Sequence, residues 1–314
     1  MTLAWARRLL TYALLAAAFA FLGSAIVGNW DQLSAYDWDV DPALLLISVA
    51  AHVAVLAWGV FILSLVLRHL DSPAVPYGRL LRIWSLSSAT RYIPGTVWQF
   101  MAAAELARGE GLSGVVTLTS MVVHVLFSLI AAVTISAALL PMDAAGVGPF
   151  ALPWVRWAIA GAALLAVHPR VINAGLRLIP RALHKDVLVW RGSWGDGILL
   201  LLLANFSWLI YGVAYHLFVA SLTPVPASSF FLLVAVNALS FTIGYVAIVA
   251  PGGLGVRESA MTALLTGALP RGVAGVVSIG ARLWSIVAEL LLIGLSLVLA
   301  RGDRTAGEPD EEVP

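Results

Sequence analysis

The chain has 314 residues, of which 61% are hydrophobic and only 11% are charged. A soluble domain could not remove that much apolar surface from water, so this composition and the mean hydropathy of +0.95 predict an integral membrane protein. The absence of cysteine excludes disulfides, thiolate metal ligands and cysteine nucleophiles, while the net charge of +1 indicates no particular partner.

Apolar runs predict six membrane-spanning helices. The first, residues 9–28, is longer than the roughly 7–15-residue core of a cleaved signal peptide, so we expect it to be retained. The others are predicted at 43–67, 113–140, 153–167, 197–221 and 272–300. These helices form one membrane domain, residues 1–302, and we expect residues 303–314 to be a disordered acidic tail.

The distribution of Arg and Lys predicts the orientation of the chain. Basic residues concentrate in segments 7–8, 68–82, 170–191 and 301–304, which the positive-inside rule places in the cytoplasm. Loops 29–41 and 141–150 contain neither Arg nor Lys, so they should face outward. We therefore expect a multi-pass protein of the cytoplasmic (inner) membrane with both termini in the cytoplasm.

Two further apolar regions, residues 80–107 and 230–269, contain prolines and glycines beside charged residues. Lipid cannot satisfy the backbone groups that these residues free, and an arginine at membrane depth costs about 2.5–3.5 kcal/mol. The predicted orientation leaves no crossing for either region, so the first should enter and leave from the cytoplasmic side and the second from the outer side. The predicted fold class is an all-α polytopic membrane protein with about six spanning helices and two re-entrant broken-helix hairpins, near 80–110 and 229–270. Such an inverted repeat is typical of transporters.

The two breaks predict the substrate site, because a helix that begins inside the membrane presents unpaired N–H groups and partial positive charge to an anion. We expect Arg91, Arg257 and Arg282 to hold a phosphate. Glu105 and Glu258 would release or couple it, and Tyr92 and Trp98 would line the path. The full predicted set is Arg91, Tyr92, Pro94, Gly95, Trp98, Gln99, Glu105, Arg108, Pro251, Gly252, Gly253, Gly255, Arg257, Glu258, Arg282 and Glu289.

Simpler interpretations of these residues are also open. The Pro-Gly segments can be ordinary loop turns, and Arg282 and Glu289 can form a structural ion pair because seven residues separate them on one helical face. The isolated His52, His124 and His216 predict hydrogen-bonded packing residues and show no metal-ligand spacing, so no metal or cofactor is expected. Segment 170–181 predicts an amphipathic helix on the anionic membrane surface, not a nucleic-acid site.

The broken segments RYIPGTVW (91–98) and APGGLGVRE (250–258), with Ala-Arg-Leu at 281–283, resemble the signature segments of the lysylphosphatidylglycerol synthase transmembrane-region family. The resemblance covers roughly residues 5–300. The best known member of that family is the flippase half of the bacterial multiple peptide resistance factor, and other members are linked to polyprenyl-lipid glycosylation. The resemblance therefore implies a lipid flippase. The sequence contains no aminoacyl-transferase domain, so lysyl-lipid synthesis is not expected.

These observations favour a flippase or transporter of a phosphate-bearing lipid, either a phospholipid or a polyprenyl-phosphate lipid, over an enzyme. Membrane lipids are the expected partners, and a lipid-modifying enzyme or a second copy of the chain is a candidate protein partner. One alternative is a glycosyltransferase that uses polyprenyl-phosphate sugars, since Asp37, Asp39 and Asp41 lie in the first outer loop, where such enzymes carry acidic residues. The other is a non-transporting scaffold for a lipid-modifying enzyme.

Overall fold

The structure, a computed structural model, describes residues 27–28, 30–70, 75–92, 98–141, 152–177, 188–247 and 253–305. Across these ranges the chain is helical and contains no strand. Most of the predicted first span, residues 9–26, lies outside them, as do the Pro-Gly pairs at 94–95 and 251–252.

The described helices are α1 (Trp30–Ser34), α2 (Pro42–Arg68), α3 (Tyr77–Ala89), α4 (Trp98–Gly109), α5 (Gly114–Leu139), α6 (Pro153–Ala166), α7 (Pro169–Leu176), α8 (Trp194–Ala220), α9 (Phe230–Val246), α10 (Val256–Leu265) and α11 (Arg271–Thr305). Short 3₁₀ turns occupy Thr90–Tyr92 and Ala227–Ser229. The last helix includes residues 303–305, the first three residues of the predicted acidic tail.

Five of the described segments are long and apolar enough to cross a membrane: α2, α5, α8, α11 and the segment Ala227–Val246 that contains α9. Four of these match predicted spans. The predicted span at 153–167 coincides with α6, but α6 has only 14 residues and reaches spanning length only together with α7, after a bend of 69°. The segment with α9 was predicted as one arm of a hairpin, yet it has the length and composition of a crossing helix.

Side-chain caps fix where the long helices begin. The Asp41 carboxylate accepts hydrogen bonds from the backbone N–H groups of Ala43 (2.8 Å) and Leu44 (3.1 Å), which starts α2. Ser193 and Asp196 form a reciprocal capping box at the start of α8. Each cap lies next to the polar segment that precedes the apolar run, so the sequence signal and the observed helix start coincide.

Helices α3 and α4 form the first hairpin, and the two ends of this hairpin lie together. The carboxylate of Glu110, which follows α4, lies 3.0 Å from Arg82 Nη1 and 3.8 Å from Arg79 Nε in the first turns of α3. A buried cluster at the same end joins Leu67 of α2 to residues of both hairpin arms. The chain therefore returns to the side from which it entered, as predicted.

Helices α9 and α10 form the second hairpin, which also closes at its base. Leu233, near the start of α9, belongs to the same buried cluster as Leu265, the last residue of α10, and Leu269 of the segment that follows it. At the tip, Gly253 adopts a φ of +68°, a conformation that favours glycine. The arms therefore pack together at the base, and at the tip Gly253 lies against Gly244 of α9.

The two hairpins enter from opposite sides of the helix bundle. Helices α2 and α8 run antiparallel, because Asp41 N bonds to Ser221 O (2.9 Å) at one end of the pair and Arg191 N to His69 O (3.0 Å) at the other. The first hairpin follows the residue-69 end of α2, whereas the second follows the residue-221 end of α8. Each hairpin then leads into a long helix, α5 or α11, so the unit of span, hairpin and span occurs twice in inverted orientation.

Of the three isolated histidines, His52 packs between other side chains as expected. The hydrogen bonding of all three is less complete than the sequence predicted. The His52 ring lies between the rings of Tyr211 (centroids 4.6 Å apart) and Trp284 (4.2 Å). The Nδ1 atoms of His52, His124 and His216 have no hydrogen-bond partner among the residues that the structure describes. His52 and His216 lie outside the cavity lining, so only His124 acquires a place in the site below.

Candidate functional site

A cavity of about 210 Å³ lies where the two hairpin tips meet α2, α5, α8 and α11. Arg91 and Gln99 line it from the first hairpin, and Gly253 and Arg257 line it from the second. Helix α11 adds Arg282 and Glu289. The structure thus brings six of the predicted site residues, separated by as many as 198 positions in the sequence, around one cavity.

Arg257 is the most deeply buried cation of this cavity, with only 9% of its surface exposed. Its Nη2 atom lies 3.3 Å from the hydroxyl of Tyr211 and 3.3 Å from Oδ1 of Asn237, and its guanidinium carbon lies 5.7 Å from the centre of the Phe241 ring. All three partners are uncharged. No carboxylate in the described ranges comes within 4.0 Å of this guanidinium.

A buried charge without an opposite charge is costly, so its surroundings usually provide one. Arg257 lines the cavity with neutral hydrogen-bond partners, while the Glu258 carboxylate that interacts with it electrostatically contacts Arg282 and the backbone of Gly255. The geometry therefore suits an anionic ligand group, for which a guanidinium supplies several directed hydrogen bonds.

The second buried arginine, Arg282, pairs with Glu258 across the junction of α11 and α10. Its Nη1 atom lies 3.7 Å from Glu258 Oε1, and the two side chains are 11% and 6% exposed. Glu258 Oε2 also accepts a hydrogen bond from the backbone N–H of Gly255 at 2.6 Å, which caps the first turn of α10. Gly255 has a φ of +80°, so a side chain there would be strained.

The third arginine, Arg91, joins the tip of the first hairpin to α11. Its Nη1 atom lies 3.2 Å from Glu289 Oε1, while its Nε donates to the carbonyl oxygen of Ser88 at 3.1 Å. The guanidinium carbon also lies 5.9 Å from the centre of the Trp84 ring. Two residues of α11 therefore each contact a hairpin: Glu289 pairs with Arg91 of the first, and Arg282 pairs with Glu258 of the second.

Three predicted site residues of α4 do not line the cavity. Glu105 and Arg108 form an ion pair with each other, and their side chains are 73% and 60% exposed. Trp98, at the start of α4, is 43% exposed. Their spacing places them on the outer face of the hairpin, so among the described residues Glu105 has no contact with the cavity through which to release or couple a ligand.

Several predicted residues fall outside the described parts of the chain. These are Pro94, Gly95, Pro251, Gly252 and the side chain of Tyr92. Glu258 and Gly255 are described, and they shape the start of α10 from behind the cavity wall. They form the first turn of the helix that carries Arg257.

The long helices contribute polar cavity residues that the sequence analysis did not select. His124 and Ser128 come from α5, Tyr211 from α8 and Ser285 from α11. The buried Nδ1 of His124 and Oγ of Ser285 have no hydrogen-bond partner in the described structure. Isolated polar residues in apolar helices were the only available signal, and that signal does not distinguish a cavity from a helix contact.

The fold and this cavity define a class: a polytopic α-helical membrane protein whose two inverted hairpins meet at a charged, partly buried site, as in many transporters. The chain belongs to the family described as the lysylphosphatidylglycerol synthase TM region, whose family model matches residues 5–293. This match confirms the resemblance that the two broken segments indicated, and it is consistent with a membrane role related to lipids. No curated protein matches the chain.

Proposed function

We propose that this protein is a flippase that moves a phosphate-bearing lipid, a phospholipid or a polyprenyl-phosphate lipid, across the cytoplasmic membrane. The observation that carries the proposal is Arg257, a buried cation at the cavity whose contacts in the described structure are all to uncharged groups. A lipid phosphate would supply the opposite charge. Charge-assisted hydrogen bonds of this kind are roughly twice as strong as neutral ones.

The hairpins support a transport role over simple binding. Their tips approach one cavity from opposite sides of the bundle, and each tip is joined to α11 by an ion pair. A relative movement of the hairpins would open the cavity first to one side and then to the other. In the proposed mechanism the head group passes between the tips while the acyl or polyprenyl chains stay in the bilayer.

The test is lipid movement by the purified protein in proteoliposomes. Fluorescent phosphatidylglycerol and a fluorescent polyprenyl phosphate would be added separately, and arrival in the outer leaflet would be followed by chemical quenching. Arg257→Gln should slow movement of the true substrate roughly 10 to 150-fold, because losing a charge-assisted contact costs about 1.5–3 kcal/mol. Arg79→Gln, an arginine that is 56% exposed at the base of the first hairpin, is the matched control.

Two results would contradict the proposal. One is an Arg257→Gln protein that is folded by thermal unfolding and moves both lipids at the wild-type rate. The other is a wild-type protein that moves neither lipid faster than protein-free liposomes do.

A further inference from the structure

Two ion pairs join α11 to the hairpins, and they differ in which of their side chains a ligand in the cavity can contact. Glu258 is held from two directions, by Arg282 and by the backbone N–H of Gly255, and it does not line the cavity. An anion in the cavity can reach Arg282 but not the Glu258 carboxylate, which caps α10 through its other oxygen behind the cavity wall. Glu258 is therefore not the carboxylate that a ligand would displace directly.

The pair Arg91–Glu289 lies on the cavity surface with both of its members. The Arg91 side chain is 26% exposed, more than twice the 11% of Glu289. Its Nε donates to Ser88 O, so this hydrogen bond does not involve the Nη1 atom that contacts Glu289. Because a guanidinium carries five N–H donors, Arg91 can bind a second anion without leaving its place.

We infer that Glu289 is a displaceable counter-ion of Arg91, which the anionic group of the ligand replaces when it enters the cavity. This inference rests on the proposed function. In the empty cavity the Glu289 carboxylate neutralises Arg91 and holds the first hairpin against α11. A phosphate bound between Arg91 and Arg257 would lie close to that carboxylate, and like charges repel.

Glu289 consequently lowers the affinity of the site for an anion and favours release. A transporter needs this property because cargo that binds too tightly is not released. When an anion displaces Glu289 from Arg91, the contact between the first hairpin and α11 also weakens. Occupancy of the cavity and mobility of the hairpin are therefore linked through Glu289.

A purely structural Glu289 makes the opposite prediction. If the carboxylate only positioned Arg91, its removal would leave the arginine misplaced and the anion would bind less well. As a displaceable counter-ion, Glu289 competes with the anion, and its neutralisation should improve binding. The sign of the change in affinity therefore separates the two roles.

The experiment is calorimetric titration of the full chain in detergent with inorganic phosphate and, separately, with dihexanoyl phosphatidylglycerol. Glu289→Gln should bind at least one of these probes about 10-fold more tightly than the wild type does, and Arg91→Gln should bind it more weakly. Tighter binding of phosphatidylglycerol alone would show that the site recognises a lipid head group. Tighter binding of both probes would show that the site recognises the phosphate group itself.

Glu110→Gln is the matched control. Glu110 also pairs with an arginine of the first hairpin at 3.0 Å, but at its base and outside the cavity lining. Its affinity for both probes should equal that of the wild type. If Glu289→Gln does not fold, Glu289→Met, which has a similar length and no charge, removes the competing carboxylate and should also tighten binding.

The outcomes separate this inference from the proposed function. Wild-type binding together with equal or weaker binding by the folded Glu289 variant overturns the counter-ion role and leaves the flippase proposal standing. Absence of binding by both the wild type and the variant overturns both. Binding by Glu289→Gln alone supports the inference, because the competitor has then been removed.

Discussion

Gly244 of α9 lies directly against Arg257 of α10: a Cβ atom added to Gly244 would lie 2.7 Å from the Cβ atom of Arg257. A Cβ atom on Gly253 would likewise lie 2.7 Å from the carbonyl oxygen of Gly244. The tip of the second hairpin is therefore closed by two glycines at van der Waals distance. This contact places the buried arginine at the cavity.

The first prediction concerns this contact. Gly244→Ala should displace Arg257, lower the free energy of unfolding by about 1–3 kcal/mol as overpacking typically does, and reduce lipid movement at least about 10-fold. The measurements are thermal unfolding in detergent and the proteoliposome assay.

Gly161→Ala is the control for that substitution, since a Cβ at this position in α6 meets no heavy atom within 4 Å. It should leave lipid movement unchanged. Normal transport by a folded Gly244→Ala protein would show that the close approach does not position the arginine.

The second prediction uses two tyrosines one helical turn apart on α8. Tyr211 accepts a hydrogen bond from Arg257, whereas the hydroxyl of Tyr215 contacts the sulfur of Met261 and does not line the cavity. Tyr211→Phe should weaken binding of dihexanoyl phosphatidylglycerol about 10-fold, the effect of losing one hydrogen bond to a charged group. Tyr215→Phe should retain wild-type affinity. Equal affinities for the two variants would exclude Tyr211 from positioning Arg257.

The third prediction tests the glycosyltransferase alternative. Asp41 caps α2, and Asp39 is exposed and absent from the cavity lining. Asp39→Asn should therefore move lipid at the wild-type rate, with unchanged thermal stability. Sugar transfer from a polyprenyl-phosphate donor that the wild type performs and Asp39→Asn does not would reject the flippase assignment.

The fourth prediction concerns orientation, which loop charges predict and cysteine labelling can measure because the chain contains no cysteine. An impermeant maleimide applied to intact cells should label Ala268→Cys, at the base of the second hairpin, and should spare Glu110→Cys, at the base of the first. Ala268 is exposed, unlike its neighbour Leu269, so its labelling reports sidedness. Labelling of Glu110→Cys from outside would show that the first hairpin does not return to the cytoplasmic side, contrary to the proposed topology.

Much of the fold was readable from the sequence because a bilayer restricts the solutions. Apolar runs of spanning length predicted α2, α5, α8 and α11, and the breakers at 91–99 and 250–258 predicted both hairpins. The short α6 was less predictable. An apolar run shows that a segment avoids water, but it does not show where the helix bends, and here the bend comes after 14 residues.

The sequence by itself determined that this protein is a helical membrane protein with charged, broken segments, and it identified Arg91, Arg257, Arg282 and Glu289 as residues with a costly location. Only the tertiary structure decided their partners. The sequence does not distinguish Glu105 from Glu289. In the structure Glu105 is 73% exposed beside Arg108, whereas Glu289 faces the cavity and pairs with Arg91. The physical reason is that the Arg91–Glu289 pair and the burial of Glu289 depend on distances between helices far apart in the chain. Hydropathy and helix breaking are instead local properties that a single segment carries.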